Sequence, residues 1–363
     1  MKTKIIVTLC AVWLFIHGCK DDDTPKADDG VTHDETPYQL QYGAFPPPDI
    51  ASDNPLTIQG VKLGRMLFYE KMLSQDGSMS CASCHLQEFA FSDTARFSIG
   101  VQGLPGGRQA MGVFNMAWNT NEFFWDGRAH LVRDQSLGPI QDELELNETL
   151  DNVVAKLSAH QEYKDQFMRA FGSEEITSDK MALAMEQFMN SIVSSNSKYD
   201  QFLVDSTVFT ESEKRGRELF FTEYNQFFPD QSGADCAHCH GGFNFENDEY
   251  MNNGLDSDGA ITDVGREKVT NDPKDKAKFK VTSLRNIALT PPYMHDGRFN
   301  TLREVVEHYN SGLKASSTLD PALEQTRGTG LMLTEQDKDD LVNFLKTLTD
   351  ESLKTEEKYS NPF

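Results

Sequence analysis

The pentapeptide CASCH at residues 81–85 recurs later in the chain as CAHCH at residues 236–240, so the motif C-x-x-C-H occurs twice. Three kinds of site use such cysteine pairs: a disulfide, half of a zinc site, and covalent haem attachment. Zinc needs four ligands, which the two pairs could supply together, but zinc does not explain why a histidine follows both pairs. A thioredoxin-like redox pair requires a βαβ context, which the surrounding pattern lacks. The repeated histidine therefore favours two haems.

The six cysteines divide completely among three uses. Cys10 lies in an apolar N-terminal segment, Cys19 follows that segment, and the other four belong to the two motifs. None is left for a structural disulfide. In the haem interpretation each cysteine pair forms two thioethers and the adjacent histidine is the proximal iron ligand. The predicted haem-binding residues are Cys81, Cys84, His85, Cys236, Cys239 and His240, with His85 and His240 as metal ligands.

The segments around the two motifs are also repeated. Gly-Arg-x-Leu-Phe precedes each motif, in LGRMLF at 63–68 and RGRELFF at 215–221. Asp-Gly-Arg follows each motif, in FFWDGRAHLVRDQ at 123–135 and PYMHDGRFNTLREV at 292–305. These paired landmarks indicate an internal duplication.

Between the landmarks, apolar residues recur at helical spacing, for example over 150–171 and 180–192, whereas strand patterns are scarce. We therefore expect an all-α fold of two cytochrome c-like haem domains related by duplication, with long loops and little strand. The predicted domains and tail are an N-terminal domain at 46–200, a C-terminal domain at 201–350, and a C-terminal tail at 351–363.

The N-terminus predicts export and lipid attachment. Residues 1–18 combine a basic start with an apolar run that is too short to span a bilayer, as in a signal peptide. Cys19 follows a glycine in a sequence that resembles a bacterial lipobox, and the next residues, KDDD, are similar to a surface-export tag. Residues 19–45, rich in Asp, Thr and Pro, are predicted to be a disordered tether. We expect a protein lipid-anchored to the membrane through Cys19, in the periplasm or at the cell surface.

The charge restricts the partners. With 57 acidic and 34 basic residues, the formal net charge is -23, and nucleic acid is an unfavourable partner because its phosphates would be repelled. A basic redox protein would be attracted.

Over about residues 56–349 the sequence resembles the bacterial diheme cytochrome c peroxidase family, which includes the related enzymes that mature methylamine dehydrogenase. Three long stretches carry the resemblance: LGRMLFYEKMLSQDGSMSCASCH, FFWDGRAHLVRDQSLGPIQDELE and KFKVTSLRNIALTPPYMHDGRFNTLREVVEHYNSG. It implies two covalent c-type haems and reduction of hydrogen peroxide to water, with electrons from a small cytochrome c or similar donor. It also implies that peroxide reacts at the His85 haem and that electrons enter at the His240 haem.

The resemblance assigns roles to three residues near the first haem. Glu145 matches the family's distal glutamate and Gln135 its neighbouring amide. Glu143 remains an alternative to Glu145 if the motif alignment is shifted. A carboxylate in an apolar haem pocket should have a raised pKa, so Glu145 is predicted to take a proton from peroxide and return it to the leaving oxygen. Trp125 matches a tryptophan placed between the two haems, where an indole shortens the gap for electron transfer.

One departure from the family concerns the first iron. In many of these peroxidases a histidine after the Ser-Ile-Gly motif blocks the iron until the second haem is reduced. Here the residue is Val101, which cannot bind iron. We therefore expect an open first iron that needs no reductive activation. His130 is not expected to replace the histidine, since the resemblance places it outside the pocket.

A second departure concerns the sixth ligand of the second haem. Methionine is usual in the peroxidases, but the matching residue is Tyr309, as in the methylamine dehydrogenase-maturing enzymes. Met294 and His308 remain open as alternatives. A tyrosine ligand stabilises ferric iron. It suggests an alternative function, oxidation of a protein or organic substrate by peroxide through a high-valent state. A non-enzymatic electron-transfer diheme cytochrome is the third possibility.

The family also has a calcium ion between its two halves. Thr290 and Pro292 match two of its contacts, but Gln109 stands where an asparagine is expected, so the resemblance leaves one calcium ion open. The sequence does not determine the oligomeric state, and a homodimer stays open.

Overall fold

The computed structural model of the protein describes residues 30–363, of which Thr32–Phe363 form one compact unit. Within this part the fold is helical, which confirms the predicted all-α class. The helices are α1 (Ile58–Tyr69), α2 (Val132–Gln141), α3 (Leu150–Ser158), α4 (Gln161–Phe171), α5 (Ser178–Ser191), α6 (Lys198–Leu203), α7 (Glu211–Phe221), α8 (Glu267–Thr270), α9 (Leu302–Glu307), α10 (Pro321–Thr326) and α11 (Glu335–Lys346). A short antiparallel pair, β1 (Tyr250–Met251) and β2 (Phe279–Lys280), joins two of the long loops. Among residues 30–363, no helix has both the length and the hydrophobicity needed to cross a membrane.

Two hydrophobic cores have the same construction. In the first, Phe68 of α1 packs edge-to-face on Phe188 of α5, with ring centroids 5.4 Å apart. In the second, Phe220 of α7 packs on Phe344 of α11 at 5.2 Å. The predicted boundary at 200/201 falls in α6, after α5 and before α7. Because residues 32–363 form one compact unit, the division into two domains stays a prediction.

The repeated Gly-Arg-x-Leu-Phe sequence is explained by helix packing. Its glycine lies where α1 crosses α5 and where α7 crosses α11. A Cβ atom on Gly64 would lie 1.9 Å from the carbonyl oxygen of Ala184, and one on Gly216 would lie 1.9 Å from that of Asp340. A hydrogen in place of the side chain therefore lets each helix pair approach closely enough to form its core.

Replacing Gly216 with alanine should destabilise the protein by about 3 kcal/mol, since a methyl group would press on main chain that can move only if α7 and α11 separate. Denaturant unfolding of the haem-loaded protein measures this effect. Gly259→Ala is the control, because a Cβ there meets no atom within 4 Å. Equal stability of the two variants would contradict the packing explanation.

The Asp-Gly-Arg repeat forms the same tight turn twice. The aspartate accepts a hydrogen bond from the main-chain N–H of the arginine two residues on, at 3.3 Å for Asp126 and Arg128 and 3.2 Å for Asp296 and Arg298. The glycine between them has φ of +72° in the first turn and +61° in the second, a conformation that favours glycine. The repeat therefore specifies a backbone shape.

The end of the predicted tether is packed on the protein. The N–H of Tyr38 donates to the carbonyl of Leu56 at 2.9 Å, and the buried ring of Phe45 lies 5.4 Å from that of Trp118. The prediction of a disordered tether up to residue 45 is therefore wrong for this part, because its few apolar side chains find partners. The signal segment, Cys10 and the lipid-attachment residue Cys19 lie outside the described residues.

The predicted C-terminal tail also packs, on the first core. The ring of Tyr359, a residue of this tail, is buried, and its hydroxyl donates to the carbonyl of Ser191 at 2.9 Å. The guanidinium of Arg65 donates to the carbonyl of Ser360 at 2.6 Å. The end of the chain thus returns from the second core to the first.

Candidate functional site

The two C-x-x-C-H motifs fold into the same turn. In each, the N–H of the histidine donates to the carbonyl of the first cysteine, at 3.0 Å for His85 and Cys81 and 2.9 Å for His240 and Cys236. This turn places both cysteines and the histidine on one short loop. All four motif cysteines are free thiols in the structure and are available for thioether bonds.

Each histidine is oriented by a carbonyl of the chain that follows. Nδ1 of His85 donates to the carbonyl of Phe91 at 2.8 Å, and Nδ1 of His240 donates to that of Phe245 at 3.2 Å. Nε2 is left for a metal, since metal-binding histidines commonly donate the other ring N–H to such a carbonyl. Burial lowers the pKa of both imidazoles, that of His240 to about 4. Both are therefore neutral, as ligation requires.

One continuous cavity of about 1150 Å³ adjoins both motifs. Its lining includes Cys84 and His85 of the first motif and Cys236, Cys239 and His240 of the second. Cys81 packs beside it on the first core. Ordinary small-molecule sites measure roughly 300–1,000 Å³. The cavity is thus larger than one small ligand requires.

The first motif faces a wall made by α2 and the turn after it. Gln135 of α2 and Glu145 of the turn line the cavity. Burial raises the pKa of the Glu145 carboxyl to about 7; the nearby carboxylate of Asp142 adds to this rise and the guanidinium of Arg128 opposes it. Glu143, the alternative, is exposed and does not line the cavity.

The loop that carries Val101 is attached to the same turn. The N–H of Val101 donates to the carbonyl of Glu145 at 2.8 Å. A Cβ atom on Gly100 would lie 2.0 Å from the carbonyl of Leu144, so only glycine allows this approach. His130 is exposed and does not line the cavity.

Trp125 lines the cavity that both motifs share. Its indole Nε1 donates to the carbonyl of Gln109 at 2.8 Å, and its own carbonyl accepts from the N–H of Lys280 at the same distance. The residue is therefore held by one contact from each half of the chain.

The three candidates for the sixth ligand of the second haem differ in whether they reach the cavity. Tyr309 and Met294 line the cavity, whereas His308 does not. Nε2 of His308 instead donates to the carbonyl of Asn253 at 2.9 Å. Tyr309 lies on a π-helical turn, His308–Gly312, that follows α9; such turns are frequent at functional sites.

Comparison with known proteins gives the family. The model of the di-haem cytochrome c peroxidase family matches residues 58–207. The methylamine utilization protein MauG of Methylophilus methylotrophus is 31% identical over 304 residues, covering 83% of this chain and 85% of its own length. The chain belongs to the di-haem cytochrome c peroxidase family. Cytochrome c551 peroxidase of Nitrosomonas europaea, another relative, is 33% identical over 294 residues, covering 79% of each chain.

A solved structure also supports the membership of the chain in this di-haem peroxidase family. It is a MauG-like protein associated with microbial copper homeostasis, 35% identical, with a TM-score of 0.79 over 88% of this chain and 97% of its own. The family consists of peroxidase-type oxidoreductases that react with hydrogen peroxide and a redox partner.

The enzyme binds two c-type haems, and its residues fit them. Each motif offers two free thiols and a neutral imidazole whose Nε2 is available to iron. Residues of both motifs line the same large cavity. Cys81, Cys84 and His85 would hold one haem. Cys236, Cys239 and His240 would hold the other.

Charged residues that the sequence did not reveal also line the cavity. Arg108 pairs with Asp126 and with Asp263, both at 2.7 Å, and so connects loops from the two halves. Burial raises the pKa of Glu246 to about 8. Arg108 lies in a glycine-rich stretch, and both of its carboxylate partners are distant in sequence. Glu246 lies among other polar residues of its loop, and its burial comes from the fold. No local pattern could have identified them.

The calcium prediction remains a prediction. Gln109, Thr290 and Pro292 all line the cavity. The amide nitrogen of Gln109 donates to Ser92 Oγ at 2.9 Å and to the carbonyl of Asp93 at 3.2 Å.

Proposed function

We propose that this enzyme reduces hydrogen peroxide to water at the His85 haem, using electrons from a small cytochrome c or a similar redox protein. The observation that carries the proposal is the partly buried carboxyl of Glu145 in the cavity beside the His85 motif, with a pKa of about 7. When bound, the haem supplies an iron atom that binds peroxide and passes electrons to it.

Glu145 supplies the acid-base chemistry. Its carboxylate accepts the proton from one peroxide oxygen and returns it to the other as the O–O bond breaks. With two electrons from the donor and two protons from solvent, one peroxide gives two water molecules. A carboxyl group with a pKa near 7 suits both steps, since it gains and loses a proton readily near neutral pH. Gln135 offers an amide on the same wall to orient the substrate.

The path of the electrons rests on Trp125. Its contacts to Gln109 and Lys280 hold it at the cavity wall shared by both motifs. Electrons would enter at the His240 haem and pass this indole to reach the His85 haem. The net charge of -23 favours a basic donor protein.

The fully oxidised enzyme, as isolated, should show one high-spin haem. The reason is that Val101 offers no ligand and its N–H is bonded to the carbonyl of Glu145, while His130 does not line the cavity. Paramagnetic resonance before and after one-electron reduction measures the spin states. A spectrum of low-spin haem alone would show that another residue closes the first iron.

A second function is favoured by Tyr309, which lines the cavity where a methionine is usual in the peroxidases. An oxygen ligand stabilises oxidised iron and suits an enzyme that uses peroxide to oxidise a protein or organic substrate. Turnover assays distinguish the two functions. Rapid peroxide consumption with reduced cytochrome c supports the first, and slow turnover with an oxidised partner supports the second.

The proposed location is the periplasm or the cell surface, with a lipid on Cys19. Mass spectrometry of the mature protein tests this: a diacylglyceryl mass on an N-terminal Cys19 peptide supports it, and an unmodified peptide contradicts it.

A further inference from the structure

Asn253 contacts all three side chains that could be the sixth ligand of the second haem. Its amide Nδ2 lies 3.3 Å from Sδ of Met294 and 3.4 Å from the hydroxyl oxygen of Tyr309. Its main-chain carbonyl accepts from Nε2 of His308 at 2.9 Å. Asn253 itself lines the cavity, two residues after β1. No other role for this side chain follows from the fold.

We propose that Asn253 is a positioning residue that selects Tyr309 over Met294 as the sixth ligand of the His240 haem. The inference rests on the proposed ligation by Tyr309. It adds that the side-chain amide of Asn253 determines which residue becomes the ligand.

The selection follows from what each contact does. The main-chain carbonyl holds the His308 imidazole outside the cavity, and it would do so whatever side chain residue 253 carried. The amide has two N–H groups and reaches two acceptors. A hydrogen bond donated to an oxygen that carries negative charge, as a tyrosine ligand does, is stronger than one donated to a thioether. The amide therefore favours the oxygen as ligand, and its other N–H engages the sulfur.

The surrounding structure is held by separate contacts. The neighbouring Asn252 donates to Ser316 Oγ at 2.8 Å and to Thr318 Oγ1 at 2.9 Å, which fastens the loop. The π-helical turn is held where the carbonyl of Asn310 accepts from the N–H of Leu331 at 3.0 Å. Loss of the Asn253 amide should thus change the ligand and leave the loop in place.

The test uses the haem-loaded enzyme with Asn253→Ala and Asn253→Asp. Alanine removes the amide; aspartate keeps its size but places a carboxylate against the ligand oxygen, so both variants should shift ligation to Met294. We expect a near-infrared methionine-to-iron charge-transfer band to appear and the reduction potential of the His240 haem to rise. Two haems per chain should be retained. Asn247→Ala is the matched control, because Asn247 precedes Asn253 in the same stretch of chain and does not line the cavity.

Wild-type spectra and potentials in both Asn253 variants would overturn the inference, as would a methionine band already present in the wild-type enzyme. Peroxide turnover of the same samples reports separately on the proposed function. Normal turnover with an unchanged spectrum therefore refutes the role of Asn253 alone, whereas a wild-type enzyme that does not react with peroxide refutes the proposed function.

Discussion

Glu145→Gln should lower kcat/KM for hydrogen peroxide by about 10²–10⁴-fold, the range that general acid-base catalysis contributes. Glutamine keeps the size and the burial of the side chain but cannot accept the peroxide proton. Steady-state peroxide reduction, with the haem content of each sample measured, gives the ratio. Glu143→Gln is the control, since Glu143 is exposed two residues away, and its rate should stay near that of the wild type.

The pH profile gives an independent measurement of the same residue. Burial raises the pKa of Glu145 from 4.5 to about 7, so the carboxyl is protonated below that pH and cannot take a proton from peroxide. Wild-type kcat/KM should therefore fall as the pH drops through about 7, and the residual activity of Glu145→Gln should lack this step. A large loss in Glu143→Gln with none in Glu145→Gln would transfer the role to Glu143. Full peroxide reactivity in both variants would show that neither carboxyl takes the peroxide proton. Loss of reactivity in Glu145→Gln would argue against a non-enzymatic electron-transfer cytochrome, because simple electron transfer needs no distal acid-base residue.

The sequence predicts the helical fold and the haem attachment sites because both depend on local patterns. Helical spacing over residues 150–171 becomes α3 and α4, and the pattern over 180–192 becomes most of α5. The reason for the duplicated glycines is visible only in the structure. Gly64 and Gly216 are needed because the main chain of another helix lies against each of them. Such a requirement shows in a single sequence as a repeat without an explanation.

What the sequence does not predict depends on contacts between distant segments. Phe45 packs on Trp118 within a segment whose composition suggests disorder, and Tyr359 returns from the C-terminus to the carbonyl of Ser191. Asn253 belongs to a polar loop, MNNG, and its importance lies in contacts to residues more than 40 positions away. The composition of a segment does not identify the single residues that contact distant parts of the chain. These contacts are visible only in the folded structure.

Trp125→Phe should remove most of the donor-driven peroxide turnover and leave the haem content unchanged. The indole lines the cavity between the two motifs, and phenylalanine is shorter, harder to oxidise and unable to donate to the carbonyl of Gln109. The gap for electrons between the haems would therefore widen. Stopped-flow absorbance of the fully reduced enzyme mixed with peroxide should show the His85 haem oxidised at the wild-type rate and the His240 haem lagging behind it.

Trp118→Phe separates this effect from loss of packing. Trp118 is buried, and its Nε1 donates to the carbonyl of Pro46 at 2.8 Å, the same distance as in the contact of Trp125. It does not line the cavity, so its replacement should lower the stability and spare the transfer of electrons. If the two variants slowed oxidation of the His240 haem equally, the lag would come from a loosened core. A lag confined to Trp125→Phe would identify the indole as the connection between the haems, because both substitutions remove an indole and its hydrogen bond but only Trp125 lines the cavity.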